Sequence, residues 1–141
     1  MIIQDGGRFG TVTTPFTGVI DETALPEDII QTTWQRFFDP AEPIFALVAE
    51  REGKIAGLVH YLFHRSTIYV EPICYLQDLF TEPSERGLGV GRSLIEAVYE
   101  RARAARSSRV YWHTHESNAD ARILYDKVAR HLGFIAYSHD L

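Results

Sequence analysis

The stretch Arg86-Gly87-Leu88-Gly89-Val90-Gly91-Arg92 carries the residue types of a phosphate-binding loop. It lies between an apolar run, Cys74 to Thr81, and an amphipathic run that begins at Leu94. Strand, glycine loop and helix in that order bring bare backbone N–H groups to a helix N-terminus, where the macrodipole favours an anion. Glycine suits the loop because a Cβ would hold a phosphate off and because such a turn can require positive φ. Two common phosphate motifs do not fit. A P-loop needs a Lys directly after its last glycine, and Arg92 stands there instead. A dinucleotide loop needs Gly-x-Gly-x-x-Gly and an acidic residue about twenty positions on. Here the spacing is Gly-x-Gly-x-Gly, and the residue at that distance from Gly89 is Arg109. A plain tight turn between strand and helix is the reading without a ligand.

Few other residues suggest chemistry by type and spacing alone. His113 and His115 fall on one face of a predicted strand and could share a metal, but no third ligand is apparent, so no metal is expected. Cys74 is the only cysteine, which rules out an internal disulfide and a cysteine-based zinc site. Its place at a strand start suits a small buried hydrophobe.

The elements that must position these residues follow from periodicity. Pro26 opens a helix with Ile29, Ile30, Thr33, Trp34 and Phe37 on one side, Glu27 and Asp28 at its positive end, and Asp39-Pro40 as its stop. Residues 44–50 and 55–63 read as a hairpin around Arg51-Glu52-Gly53-Lys54. After the Cys74–Thr81 strand and the glycine loop comes a helix with Leu94, Ile95, Val98, Tyr99, Ala102 and Ala105 at helical spacing. Val110 to His115 reads as a strand. Ala121, Leu124, Val128 and Leu132 mark another helix, with Gly133 as its stop, and Phe134 to Tyr137 reads as a final strand. Residues 1–26 are punctuated by glycine and proline, with Phe9 to Thr13 as a candidate edge strand. The expected fold is an α/β mixture with a mixed sheet, in which the strand–helix–strand unit from Cys74 to His115 is parallel.

Length and composition bound the rest. At 141 residues the chain is expected to be one domain, and 45% hydrophobic residues suffice for a core. No apolar run of about eighteen residues is present, so no membrane span is expected. The first residues lack a signal-peptide pattern, and a cytoplasmic protein is expected. A net charge of −5 argues against non-specific nucleic-acid binding.

Two motifs together carry a family resemblance. The first is Arg-x-x-Gly-x-Gly, formed by Arg86, Gly89 and Gly91. The second is Asn-x-x-Ala-x-x-Leu-Tyr, formed by Asn118, Ala121, Leu124 and Tyr125, with Gly133-Phe134 following. In this order and on these elements they resemble the GNAT N-acetyltransferases, over about residues 27–141. The stretch Tyr75 to Phe80 and the wording Leu-Tyr-Asp-Lys-Val-Ala from Leu124 are similar to polyamine- and histone-acetylating members. Residues 1–26 do not resemble the family's usual first strand and helix, so that segment is divergent or truncated.

The resemblance implies a mostly antiparallel central sheet, flanked by helices, with a splayed parallel strand pair holding the cofactor. It implies acetyl-CoA as cosubstrate and transfer of its acetyl group to a primary amine by direct attack. The acceptor would be a polyamine, a lysine side chain or another small amine. Backbone at Leu79 would face the acetyl carbonyl and backbone at Thr81 the pantetheine. The loop Arg86, Gly87, Gly89, Val90, Gly91 and Arg92 would cradle the pyrophosphate, chiefly through main-chain amides. Asn118 would bind pantetheine, with a helix cap as its rival role. Tyr125 would lie near the sulfur as general acid, a role its ordinary pKa of about 10 permits.

The base is less directly implied. An alkyl ammonium with a pKa of about 10.4 must lose a proton before it attacks. Polyamine-acetylating relatives carry Glu then Asp where this chain has Gln77 and Asp78. Asp78 is the leading candidate, although neighbouring strand residues face opposite ways. Glu71, His60 and His113 are others. The rival to an enzyme is a CoA-binding module without turnover, which a Tyr125→Phe comparison would separate. A Rossmann-like nucleotide protein would prefer nicotinamide or adenine nucleotides to CoA. A homodimer is compatible with the resemblance.

Overall fold

A computed structural model describes residues 1–5 and 25–141. Their order is β1 (Ile2–Asp5), α1 (Glu27–Phe38), β2 (Ile44–Arg51), β3 (Lys54–His64), β4 (Ile73–Thr81), a 3-10 turn (Pro83–Glu85), α2 (Val90–Ala104), β5 (Val110–Tyr111) and α3 (Ala119–Val128). The five strands form one sheet in sequence order. The first four are antiparallel, and β5 is parallel to β4. This is the mixed, mostly antiparallel sheet expected from the sequence. The candidate strand at Phe9 to Thr13 lies outside the described residues, while β1 pairs Ile2 with Glu50 at the edge of β2. Among the described residues no helix is long and apolar enough to cross a membrane.

Each boundary has a local cause. Pro26 occupies the N-cap position of α1, and acidic Glu27 and Asp28 fill the first turn. The β2–β3 turn places Glu52 at φ 53° and Gly53 at φ 73°, the double positive φ of the two-residue hairpin turn that matches strand twist. Arg51 at this turn bonds Glu85 at 2.8 Å, tying the hairpin to the segment that enters the glycine loop.

The core lies between the sheet and α2. Leu47, Val59, Cys74, Val90, Leu94, Ile95 and Val98 are each 1% exposed or less. Gly57 on β3 permits this contact, because a Cβ there would sit 2.6 Å from the Phe80 carbonyl oxygen and 2.9 Å from Val90 Cγ1. Glycine on β3 thus seats the start of α2, and with it the glycine loop, against the sheet.

Three expectations require correction. The strand read over Val110 to His115 keeps only Val110 and Tyr111. The second amphipathic helix ends at Val128, not at Gly133, and Leu132 is exposed. Phe134 to Tyr137 forms no strand. Phe134, Ile135 and Tyr137 are 80%, 75% and 90% exposed. Their composition favours a strand, but a strand needs a neighbour for its backbone groups. β5 pairs at only two positions before the chain leaves the sheet.

Candidate functional site

The short β5 creates the site. Cys74 pairs with Val110 and Tyr75 with Tyr111, after which the strands part. β4 runs on for six more residues, to Thr81, without that neighbour. A cavity of about 400 Å³ opens beside the parting, lined by Gln77, Asp78 and Leu79 from β4, by His113, Thr114 and His115 from the segment after β5, by Ser117 and Asn118 just before α3, and by Tyr125 within it.

Backbone direction along β4 follows from one bond. The Glu82 N–H donates to the Ala56 carbonyl of β3 at 2.8 Å. N–H groups alternate sides along an antiparallel strand, so those of Leu79 and Thr81 point away from β3, toward the side β5 has left. These are the two positions at which the family resemblance expects backbone contact with the acetyl group and pantetheine.

A bulge fixes which face Asp78 occupies. His60 pairs with Asp78 and the next residue, Tyr61, pairs with Leu76, so Gln77 has no opposite residue. Were Gln77 paired in regular alternation, Asp78 would share the face of Leu76, which is buried against α2. The bulge turns it to the other face beside His60, where Phe37 of α1 packs 5.0 Å from the imidazole. Tyr125 approaches from the α2 side, where its neighbour Leu124 lies beside Gly91. The cavity therefore meets a carboxylate from one face of the sheet and a phenol from the other.

The glycine loop has the geometry of an anion site. Gly87 and Gly89 adopt φ 77° and 83°, the left-handed region that disfavours other residues. Gly89 is the N-cap of α2, with no side-chain cap. The first-turn N–H groups of α2 at Val90, Gly91 and Arg92 thus keep their donor capacity for a ligand. The arginine side chains are engaged elsewhere. Arg86 Nε donates to the Thr81 carbonyl at 3.3 Å, and Arg92 Nε to Glu96 Oε1 at 2.9 Å.

The two α3 residues differ in setting. Asn118 stands at the N-cap position, yet its side chain does not cap the helix. Its Nδ2 donates to Thr114 Oγ1 at 3.0 Å, which leaves the amide oxygen as an acceptor beside the cavity. Tyr125 packs edge-on to Trp112 at 5.4 Å, and burial raises its pKa, so the phenol stays protonated well beyond neutral pH.

The other candidates separate by position. Glu71 lies in a bend before β4 and is not among the residues that line the cavity. His113 lines the cavity, with its Nδ1 bonded to the Tyr75 hydroxyl at 3.2 Å. Cys74 is fully buried, and desolvation pushes its thiol pKa up to about 12, so it is no thiolate nucleophile. The residue that sequence reasoning did not pair with a partner is His60, and the signal lay in the bulge, which apolar periodicity does not report.

Comparisons with known proteins agree with this geometry. Residues 12–134 match the acetyltransferase (GNAT) family. The chain is 36% identical over 121 residues to a D-amino-acid N-acetyltransferase of Saccharomyces cerevisiae, covering 84% of this chain and 75% of that protein. It is 31% identical over 115 residues to a mycothiol acetyltransferase of Thermomonospora curvata, covering 82% of this chain and 35% of that protein, so it spans about a third of that relative's length. The solved structure of AAC(6')-Iy with the bisubstrate analog CoA-S-monomethyl-acetylneamine has a TM-score of 0.73 at 17% identity, covering 82% of this chain and 81% of that one. Ribosomal-protein-alanine N-acetyltransferase from Brucella melitensis gives 0.64 at 19% identity, covering 72% and 76%. These two structures share the fold.

Proposed function

The chain belongs to the acetyltransferase (GNAT) family and is an acetyl-CoA-dependent N-acetyltransferase, and from that premise we propose that its acceptor is the primary amine of a small molecule, with an amino acid as first candidate. The observation that carries this reading is the cavity at the strand parting, with Asp78 on one side and Tyr125 and Asn118 on the other. Support for an amino acid comes from the yeast relative, whose name gives D-amino acids as its acceptors. The cavity wall agrees, since His113, His115 and Ser117 offer polar groups that could bind an acceptor carboxylate.

The residues present fit acetyl-CoA. Amides of Gly89 to Arg92 at the uncapped start of α2 would hold the diphosphate, Thr81 and Asn118 the pantetheine, and the N–H of Leu79 the acetyl carbonyl. Bound acetyl-CoA supplies an acetyl thioester, activated toward amines. Asp78 accepts a proton from the acceptor's ammonium, so that a neutral amine faces the carbonyl. The Leu79 N–H, already oriented by β4, stabilises negative charge on the carbonyl oxygen. Tyr125 donates its phenolic proton to the departing sulfur, and the second proton that the nitrogen loses as the amide forms restores the phenol. Cys74, buried and protonated, takes no part, in keeping with direct transfer.

A panel of D- and L-amino acids, polyamines and lysine peptides, assayed for acetyl-dependent thiol release, tests the acceptor. Fastest release with a free amino acid is expected. Fastest release with a lysine peptide or a polyamine would overturn the amino-acid assignment.

A further inference from the structure

Asp78 is not an isolated carboxylate. Its Oδ2 lies 3.0 Å from His60 Nδ1, and the two side chains are only 12% and 15% exposed. They sit opposite each other on β4 and β3, at the step where the bulge interrupts the register. Phe37 of α1 packs over the imidazole at 5.0 Å with its ring inclined by 34°, which limits the ring's rotation. A carboxylate held largely out of water needs a donor, and an ionised carboxylate can only accept. The bond therefore sets His60 with its proton on Nδ1 and directed at Oδ2.

We infer that His60 is the positioning residue for Asp78, an inference that rests on Asp78 being the base. By occupying Oδ2, the imidazole fixes the carboxylate's rotation and leaves Oδ1 to take the acceptor's proton. His60 itself neither gains nor loses a proton in the step; the ammonium N–H bond breaks and an O–H bond forms on Asp78. The bulge and the Phe37 contact have one joint effect: they keep this pair on the face of the sheet opposite the α2 core, with Asp78 in the cavity lining and His60 behind it. Misplacement of a reacting group by about an ångström can cost on the order of 10²-fold in rate. That sets the scale expected when the donor is lost.

The test is steady-state kinetics on the full chain, with acetyl-CoA and the fastest amine of the acceptor panel. His60→Ala removes the donor, and kcat is expected to fall roughly 10- to 100-fold while KM for acetyl-CoA stays within about 2-fold. His60→Asn restores an N–H near the Nδ1 position and is expected to recover kcat to within about 5-fold of the parent. His60→Gln moves the donor toward the Nε2 position and should not recover it, and this pair of variants carries the comparison if His60→Ala does not fold. In an Asp78→Asn background, His60→Ala should cost less than about 3-fold more, because both changes remove one function. An unchanged kcat in His60→Ala, or an Asn variant as impaired as the Gln variant, overturns the assignment of His60. Full activity in Asp78→Asn alone overturns the base reading itself, and with it this one.

Discussion

The Tyr99 hydroxyl on α2 donates to the Val128 carbonyl at the C-terminal end of α3, at 2.8 Å. This bond joins the helix that begins at the glycine loop to the helix that carries Asn118 and Tyr125. No residue of α3 is fully buried. Its attachment depends on Leu124, Tyr125 and Val128 packing against the core and on this bond. Tyr99→Phe is expected to cost about 1 kcal/mol of stability and to reduce kcat several-fold by loosening Tyr125. Chemical unfolding beside kinetics checks both, and a variant with parental kcat would show that α3 is held without it.

Tyr125→Phe keeps the ring against Trp112 and removes the proton donor. A drop in kcat of roughly 10²-fold or more is expected, with acetyl-CoA affinity within about 2-fold of the parent. Calorimetric titration with acetyl-CoA and thiol-release kinetics make the separation. Equal kcat would remove Tyr125 from the chemistry.

Asn118→Ala distinguishes a ligand role from a cap. Loss of a true N-cap costs about 1 kcal/mol of stability. The Asn118 side chain makes no cap bond here, so the melting temperature is expected to move by less than about 2 °C. Loss of one hydrogen bond to pantetheine should raise KM for acetyl-CoA roughly 3- to 10-fold. A large drop in melting temperature with unchanged KM would return Asn118 to the cap role.

Gly57→Ala places a Cβ against the Phe80 carbonyl and Val90. Overpacking of this kind costs roughly 1–3 kcal/mol. Because Val90 starts α2, acetyl-CoA binding should weaken together with stability. Thermal melts and calorimetry read the two effects, and a variant as stable as the parent would show that β3 and α2 can move apart freely.

Cys74 links stability to pH. Its thiol pKa lies near 12 in the folded chain against an ordinary 9.0. Above pH 9 the unfolded chain gives up this proton first, so stability is full below pH 9 and declines as pH rises toward 12. The slope from this group steepens through pH 9 toward about 1.4 kcal/mol per pH unit, and the loss reached by pH 10 is about 1.4 kcal/mol in all. Urea unfolding between pH 8 and 10 should show it in the parent and not in Cys74→Ala. Parallel curves would mean that the thiol ionises as readily folded as unfolded.

How far the sequence could be read varies with the physics. The glycine loop and the motif around Asn118 and Tyr125 were legible because both are local, and a left-handed glycine before a helix writes itself into residue type. The hairpin at Glu52-Gly53 was legible for the same reason. The parting of β4 from β5 was legible only through the family resemblance, since Trp112 and the residues after it look like strand by residue type and leave the sheet through tertiary packing. The bulge at Gln77 was hidden. One extra residue decides whether Asp78 faces α2 or His60, and nothing in the alternation of Leu76, Gln77 and Asp78 announces it. Phe134 to Tyr137 misled in the opposite direction, because strand composition without a pairing edge makes no strand.

In the proposed complex, main-chain amides at the start of α2 bind the diphosphate of acetyl-CoA. The decisive measurement is calorimetric titration of the parent and Gly89→Ala with acetyl-CoA and with S-acetyl-pantetheine, which keeps the thioester and lacks the diphosphate and the 3′-phosphoadenosine, so that the part of the margin lost in the variant reports the loop. Acetyl-CoA is expected to bind at least about 100-fold more tightly, a difference of roughly 2.7 kcal/mol, and Gly89→Ala should erase much of that margin by straining the loop at φ 83°. Equal affinity for the two ligands would contradict the claim.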